Sequence, residues 1–260
     1  MIKIDIKDLK DGDILLYSRD SLISNLIKFF DKSPYSHSGI FVNGYILEAV
    51  SKGVIKSLVS ESILDVDFID VYKFKAPDGE TLGDINYPFE PIKNVVNKYE
   101  LRHDRYAYET ILLLAILTTT RRIRIQVFSW LIKNILEHAL DILNRIIADG
   151  KEPMICSELV YRCFDEADLN GKYSLFIKGI EQKINLEEIQ KIDYIDNIIR
   201  EKREVQELRE KFLNKYIKRK TKNSNYEASV EAILSTIADF VTPHDLIDSP
   251  NLKLVGRLNI

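Results

Sequence analysis

This sequence has few cysteines, no long apolar run and no excess of positive charge, and each absence excludes a class of protein. Its 260 residues contain two cysteines, Cys156 and Cys163, which are too few for a disulfide framework and typical of a reducing compartment. The longest apolar run, 111–117, has seven residues, whereas a membrane-spanning helix needs about 20. The N-terminus alternates apolar and polar residues, unlike the apolar core of a signal peptide. We therefore expect a cytoplasmic protein, with export by a route without a signal peptide left open.

The charge balance and the motifs that are missing limit the expected partners and cofactors. Lys and Arg number 37 and Asp and Glu number 40, so the net charge of −3 gives no overall basic field for nucleic acid. The sequence has no glycine-rich phosphate loop, and its cysteines and histidines lack the spacing of a zinc site. We expect no nucleic-acid partner, no metal and no cofactor.

The spacing of apolar residues predicts an α+β fold in a single domain over residues 1–260. Strands are expected at 14–17, 37–42, 45–50, 54–59, 68–74 and 252–258. Two helical insertions are expected in this domain, at about 106–150 and 185–240, the first beginning with an apolar helix from Tyr106. The last strand is expected to return to the sheet that the earlier strands form.

Two short helices have recognisable features in the sequence. The segment 21–31 has helical spacing, with Leu22, Leu26 and Phe29 or Phe30 expected on its apolar side. Near the C-terminus, Thr242-Pro243 predicts a helix start, because threonine can cap a helix and proline suits its first position.

The segment SHSGIFVNGYILEAV at 36–50 is the strongest local pattern, since Asn43-Gly44 between two strands is typical of a two-residue hairpin turn. Such a turn places Gly39 opposite Glu48, with His37 diagonal to Glu48 on the same face. Diagonal alpha carbons are roughly 7–8 Å apart, which a glutamate can span to reach an imidazole. A carboxylate there would fix the tautomer of a histidine base. The alternative is an ordinary ion pair of His37 and Glu48 on a solvated sheet face.

Cys156 lies where a helix is expected to begin, because Pro153 precedes the amphipathic segment 156–168 and Glu158 suits a first turn. At a helix start beside a histidine, the pKa of a thiol can fall from ~8.5 to about 3.5–7.5. A cysteine nucleophile needs such a thiolate, a base and a group that orients the base. Cys156 could equally be a core residue, and Cys163 is expected to be a small buried one.

The order of the motifs GDILLY, YSHSGIFV, ILEAV, ICSELVYRCF and VTPHDLIDSPNLKLVGRL resembles the YiiX-like branch of the NlpC-type papain-like cysteine hydrolases. That branch is circularly permuted, so the histidine strand precedes the cysteine helix. The resemblance implies a permuted papain-like fold, in which a small antiparallel barrel or sheet packs on the cysteine helix. It also implies that Cys156 is the nucleophile, His37 the base and Glu48 the third polar residue. Its motifs cover residues 10–75, about 150–170 and 241–258.

These observations predict a cysteine hydrolase that cleaves an amide or ester bond through an acyl-enzyme. The substrate is expected to be a small acyl or aminoacyl compound, because the insertion before Cys156 should crowd one side of the thiol. Tyr35 borders the site in sequence and is a candidate substrate-binding residue. One alternative is a lipid acyltransferase that uses the same triad, with apolar residues of 106–148 in contact with lipid or membrane. Another is a non-catalytic module that binds a small acyl or amino-acid ligand. The oligomeric state is left open.

Overall fold

The structure, a computed structural model, describes four stretches of the chain: residues 1–101, 105–106, 152–177 and 241–260. Isolated helical positions are also described at 137, 141, 144, 145, 148, 207, 208 and 211. The two predicted insertions therefore lie almost wholly outside the described residues, and the single domain over 1–260 stays a prediction. In the part of the chain that is described, no helix combines the length and apolar character needed to cross a bilayer.

Seven strands of the described residues form one sheet. They are β1 (Lys3–Ile4), β2 (Ile14–Ser18), β3 (His37–Val42), β4 (Tyr45–Val50), β5 (Gly53–Leu58), β6 (Phe68–Phe74) and β9 (Leu252–Leu258). The predicted bounds are confirmed for 37–42, 45–50, 68–74 and 252–258, the strands predicted at 14–17 and 54–59 differ by one residue, and the strand Lys3–Ile4 was not predicted. Their order across the sheet is β1-β9-β6-β2-β3-β4-β5. The α+β class is confirmed, and the last strand does return to the sheet. The expectation of an antiparallel sheet needs correction, because β1 pairs with β9 in parallel and the sheet is mixed.

Two further short strands mark where the first insertion leaves and re-enters the described fold. Strand β7 (Arg105–Tyr106) pairs in parallel with β8 (Glu152–Pro153). Tyr106 thus lies in a strand, and its prediction as the start of an apolar helix is wrong. Tyr106 is the register partner of Pro153, so the residues that flank segment 107–151 lie side by side. Pro153 is three residues before Cys156 in the chain.

The hairpin of β3 and β4 has the predicted two-residue turn. Asn43 and Gly44 both have positive φ, 50° and 85°, as a tight turn of this kind requires. Gly39 is the register partner of Glu48, as expected. A side chain at Gly39 would have no room, since a β carbon would lie 2.6 Å from Ile46 Cγ2. This position therefore needs glycine for close approach of the two strands.

Five helices complete the described fold and cover the sheet. They are α1 (Leu22–Asp31), α2 (Val59–Ser62), α3 (Glu90–Glu100), α4 (Cys156–Asp165) and α5 (Pro243–Asp248). Helices α3, α4 and α5 contribute to a core on one sheet face, and the members of that core include Ile14, Leu16, Ile40, Leu47, Val96, Leu159 and Leu246. A second core covers the other face and includes Leu15, Tyr17, Phe41, Ile46, Val59 and Val71. Burial of both faces at the central strands leaves β3 buried along its whole length.

Helix α1 buries only part of the side that its apolar residues predict, since Phe30 is buried and Leu26 half-buried. Leu22 and Phe29 are 78% and 61% exposed, whereas the buried residues are Ser24, Ile27, Phe30 and Asp31. The reason is polar: the Asp31 carboxylate accepts the His244 backbone N–H of α5 at 2.8 Å, which fixes that side inward. Thr242 caps α5 through the Asp245 N–H, with Pro243 in its first turn, as predicted.

Candidate active site

Helix α4 begins at Cys156, as the sequence predicts, and its start is held by polar contacts. The Glu158 carboxylate accepts the Ile155 backbone N–H at 3.2 Å and the Arg162 Nε–H at 2.8 Å. The Ser157 hydroxyl donates to the Val241 carbonyl at 2.6 Å, which ties α4 to the chain entering α5. These bonds are buried, so the first turn of α4 and the thiol that it carries have a fixed position.

The N-cap residue of α4, Ile155, has no side-chain oxygen that could accept a hydrogen bond from the amides of the first turn. Its backbone is extended, and its own N–H donates to the Glu158 carboxylate. The free N–H groups of a helix start carry a partial positive charge. Cys156, at the first helical position, therefore lies where negative charge on its sulfur or on a bound oxygen is stabilised.

His37 and Glu48 form a buried hydrogen-bonded pair across the hairpin. His37 Nε2 lies 2.8 Å from Glu48 Oε2, and each residue is 4% exposed. The alternative of an ion pair on a solvated sheet face is therefore wrong, because both faces of the sheet are covered at this point. Burial raises the pKa of Glu48, but the hydrogen bond and charge of His37 outweigh burial, with help from Ser57 and Arg19, and the pKa is lowered.

Cys156 and His37 shift each other's pKa towards a charged pair. Burial raises the pKa of the Cys156 thiol, but the charge and hydrogen bond of His37 outweigh burial and lower it. Burial likewise lowers the pKa of His37, but Cys156 and Glu48 together raise it to about 9. Since Nε2 is bonded to Glu48, Nδ1 is the ring nitrogen left for the thiol. Both shifts favour a thiolate beside an imidazolium.

Two residues of the site were not predicted from the sequence. The hydroxyl and backbone amide of Ser38 both lower the pKa of Cys156, and Ser38 Oγ is buried without a hydrogen-bond partner among the described residues. Tyr17 packs its ring on His37, with ring centroids 5.2 Å apart, and its hydroxyl is 2.8 Å from that of Ser62. Ser38 is adjacent to His37 in sequence, but the strict alternation of a strand had assigned it to the opposite face.

Tyr35 lies in the core next to the site. Its hydroxyl donates to Asp70 Oδ2 at 2.8 Å and is 3.1 Å from the Tyr72 hydroxyl, while Arg257 binds the same carboxylate through two nitrogens. The Tyr35 side chain is buried, and these protein partners engage its hydroxyl. Its role in substrate binding stays a prediction.

The other candidate polar groups have local roles. Cys163 is buried as expected, and burial raises the pKa of its thiol, so it is a poor nucleophile. His244 Nδ1 lies 3.1 Å from the Lys32 carbonyl oxygen, and Nε2 is 3.3 Å from Asp248. Over the described stretches, no group of three or more His, Cys, Asp or Glu residues is placed to hold a metal ion.

Comparison with known proteins gives a distant structural neighbour. No protein-family model matches the chain, and no curated protein matches it. Among solved structures, the crystal structure of the metalloprotein YiiX from Escherichia coli O157:H7 is similar over 95% of this chain and 97% of that chain. The sequence identity is 16% and the TM-score is 0.42. Similarity at this level assigns neither a family nor a function to this chain.

Proposed function

We propose that the protein is a cysteine hydrolase that cleaves an amide or ester bond through an acyl-enzyme at Cys156. A single observation carries the proposal, namely the continuous chain from the Cys156 thiol through the His37 imidazole to the Glu48 carboxylate. Nucleophile, base and orienting carboxylate are the three parts of a cysteine-hydrolase triad. Non-catalytic buried cysteines have raised pKa values, as Cys163 does, whereas the pKa of Cys156 is lowered.

The reaction has two steps. The Cys156 thiolate attacks the substrate carbonyl carbon and forms a C–S bond, and the C–N or C–O bond to the leaving group breaks. His37 Nδ1 gives its proton to the leaving amine or alcohol. In the second step water gives a proton to His37 as its oxygen attacks the thioester, which releases the carboxylic acid and restores the thiolate and imidazolium. Glu48 keeps the imidazole oriented and stabilises its charge throughout.

The start of α4 supports stabilisation of the oxyanion. The negative oxygen of the tetrahedral intermediate forms next to the sulfur, where the backbone amides of the first turn lie. Backbone N–H groups in such a place can each contribute a factor of about 10²–10³ to the rate. Ser38, whose hydroxyl and amide both lower the pKa of Cys156, is a second source of donors.

The arrangement of elements supports a permuted papain-like fold. The histidine lies on strand β3, which precedes the cysteine helix α4 in the chain, and α4 packs against β3 and β4. We propose this fold together with the activity, since the same packing brings a thiol at a helix start to a histidine at a strand start.

The burial of the triad supports a small substrate. Cys156, His37 and Glu48 are each 4–5% exposed. An extended polypeptide needs an open groove, usually with strand-edge donors for its backbone, whereas a small acyl or aminoacyl group needs only a narrow entry.

The proposal is tested with Cys156→Ala and the matched control Cys163→Ala. Purified proteins are given a panel of N-acyl amino acids, acyl esters, short peptides and one folded protein, and products are measured by chromatography. We expect turnover of small substrates by the wild type and by Cys163→Ala, with none by Cys156→Ala. Mass spectrometry should detect the acyl group on the peptide that contains Cys156. Transfer of the acyl group to an added lipid alcohol in preference to water would favour the acyltransferase. Equal activity of Cys156→Ala and wild type would exclude the enzyme.

A further inference from the structure

Arg19 is separated from His37 of the triad by the ring of Tyr17. Its guanidinium carbon is 5.7 Å from the centroid of the Tyr17 ring, and that ring packs on His37 at 5.2 Å. The positive charge of Arg19 also helps to lower the pKa of Glu48. The ring of Tyr17 thus contacts both Arg19 and the imidazole, and the charge of Arg19 acts on Glu48.

The guanidinium has no anionic partner within the described part of the protein. Its buried Nε has no hydrogen-bond partner. Glu48, whose charge it senses, is instead bonded to His37 at 2.8 Å. A buried donor left without a partner costs roughly 1–3 kcal/mol, and arginine presents its donors in a planar fork that suits carboxylate or phosphate. An anionic ligand would satisfy this group.

The position of Arg19 indicates which part of a ligand it would meet. Tyr17, His37 and Glu48 are buried, whereas Arg19 is partly exposed. His37 is the group that donates a proton to the leaving amine or alcohol in the proposed reaction. In that reaction the leaving group lies at His37, the triad residue that Tyr17 links to Arg19.

The net charge of the site agrees with an anionic substrate. In the thiolate–imidazolium form that the proposed reaction uses, the triad carries one net negative charge, which would repel an anion. Arg19 brings the cluster to neutrality, and its fork remains uncommitted to any one carboxylate. An anion bound at the fork meets a positive group before it meets the triad.

Resting on the proposed hydrolase, we infer that Arg19 binds an anionic group, a carboxylate or a phosphate, on the leaving-group part of the substrate. An N-acyl amino acid would supply a carboxylate there, and an acylated phosphoethanolamine would supply a phosphate. Arg19 would then select anionic substrates over neutral ones of the same size.

Two matched substrate pairs test the inference and separate the two anions. One pair is an N-acylglycine and its glycinamide, and the other is an N-acyl phosphoethanolamine and the corresponding N-acylethanolamine. In the wild type we expect a higher kcat/KM for the anionic member of at least one pair, and the preferred pair identifies the anion. Arg19→Gln should lower kcat/KM for the anionic member about 10- to 100-fold, the usual effect of losing a charged hydrogen bond. The neutral member should change little.

Matched variants distinguish substrate binding from general effects. Arg19→Lys keeps the charge but loses the fork, so its selectivity should fall between those of wild type and Arg19→Gln. Lys172→Gln removes a cation that lies over another tyrosine, Tyr87, at 4.9 Å and should leave selectivity unchanged. Equal losses on both members of each pair in Arg19→Gln would overturn the inference, because Arg19 would then act only through Glu48.

A second measurement does not depend on turnover. Cys156 is alkylated with N-iodoacetylglycine and with N-iodoacetylglycinamide, and each rate is divided by that of glutathione. We expect the anionic reagent to be favoured in the wild type and the preference to disappear in Arg19→Gln. Reaction at Cys156 with no preference would overturn the role of Arg19 and leave the hydrolase standing. Failure of Cys156 to react with either reagent would overturn the hydrolase, and this inference with it.

Discussion

Tyr17 and His37 are register partners on the neighbouring strands β2 and β3, and their rings lie 5.2 Å apart with an interplanar angle of 56°. The tyrosine hydroxyl lies 2.8 Å from the Ser62 hydroxyl in α2, so the ring is held at both ends. Together with Glu48, it leaves the imidazole little freedom to turn. The orientation of the base is thus set by packing on one side and by a hydrogen bond on the other.

Changes at Tyr17 should separate the contribution of its ring from that of its hydroxyl. Tyr17→Phe keeps the ring and should lower the free energy of unfolding by about 1 kcal/mol, since one buried hydrogen bond is lost. Its kcat should stay close to that of the wild type. Tyr17→Leu removes the ring and should reduce kcat much further, because His37 gains freedom. Urea unfolding and steady-state kinetics check both variants. A Tyr17→Phe protein as slow as Tyr17→Leu would show that the hydroxyl, and not the ring, supports the base.

The activity should have a plateau that ends near pH 9. The raised pKa of His37, about 9, means that the imidazolium loses its proton above that pH and can no longer protonate the leaving group. On the acid side, activity should rise as pH passes the lowered pKa of Cys156, below the usual value for a thiol. These apparent values belong to the coupled pair.

Alkylation of Cys156 by iodoacetamide gives an independent check on this pH profile. It should follow the acid limb alone, because the thiolate persists when His37 is deprotonated. An alkylation rate that begins to rise only near pH 9 would contradict the ion pair.

Glu48→Gln should weaken catalysis without abolishing it. An amide oxygen can still accept the His37 Nε2–H, but the negative charge that helps to raise the pKa of His37 is lost. We expect a fall in kcat of about 10- to 100-fold and a shift of the alkaline limb to lower pH. Glu61→Gln, an exposed change in α2, is the control. An unchanged alkaline limb in Glu48→Gln would mean that Glu48 does not set the charge of His37.

The parts of this site that lie within one short segment could be predicted from the sequence. The Asn43-Gly44 turn fixes the register of one hairpin, and the register brings His37 and Glu48 together. The start of α4 is specified by residues within three positions of Cys156. Contact between Tyr17 and His37 could not be derived in this way, because α1 separates β2 from β3 and no tight turn sets their register.

Contacts between distant segments explain the remaining differences. The inward side of α1 is decided by Asp31, which binds the backbone of His244, 213 positions away. The parallel pairing of β1 with β9 joins the two ends of the chain, and no local pattern specifies it. Tyr35 is directed into the core by Asp70 on β6, a partner that the hairpin sequence does not reveal.

Asp31 should make the protein less stable as the pH rises from 4 to 6. Burial raises its pKa to about 6, against the hydrogen bonds from Thr242 and His244, and the charge of Asp245 adds to the effect. The folded state therefore holds a proton that the unfolded state, with a pKa near 3.8, has released. The stability that this proton provides is complete below pH 3.8 and is lost as pH rises through 6, a difference of about 3 kcal/mol.

Asp31→Asn, which can still accept both bonds but cannot titrate, should remove this decline. Urea unfolding at pH 4, 5, 6 and 7 measures it, with Asp20→Asn at an exposed position as the control for one lost charge. If the wild type and Asp31→Asn declined equally over that range, the proton would lie on another group.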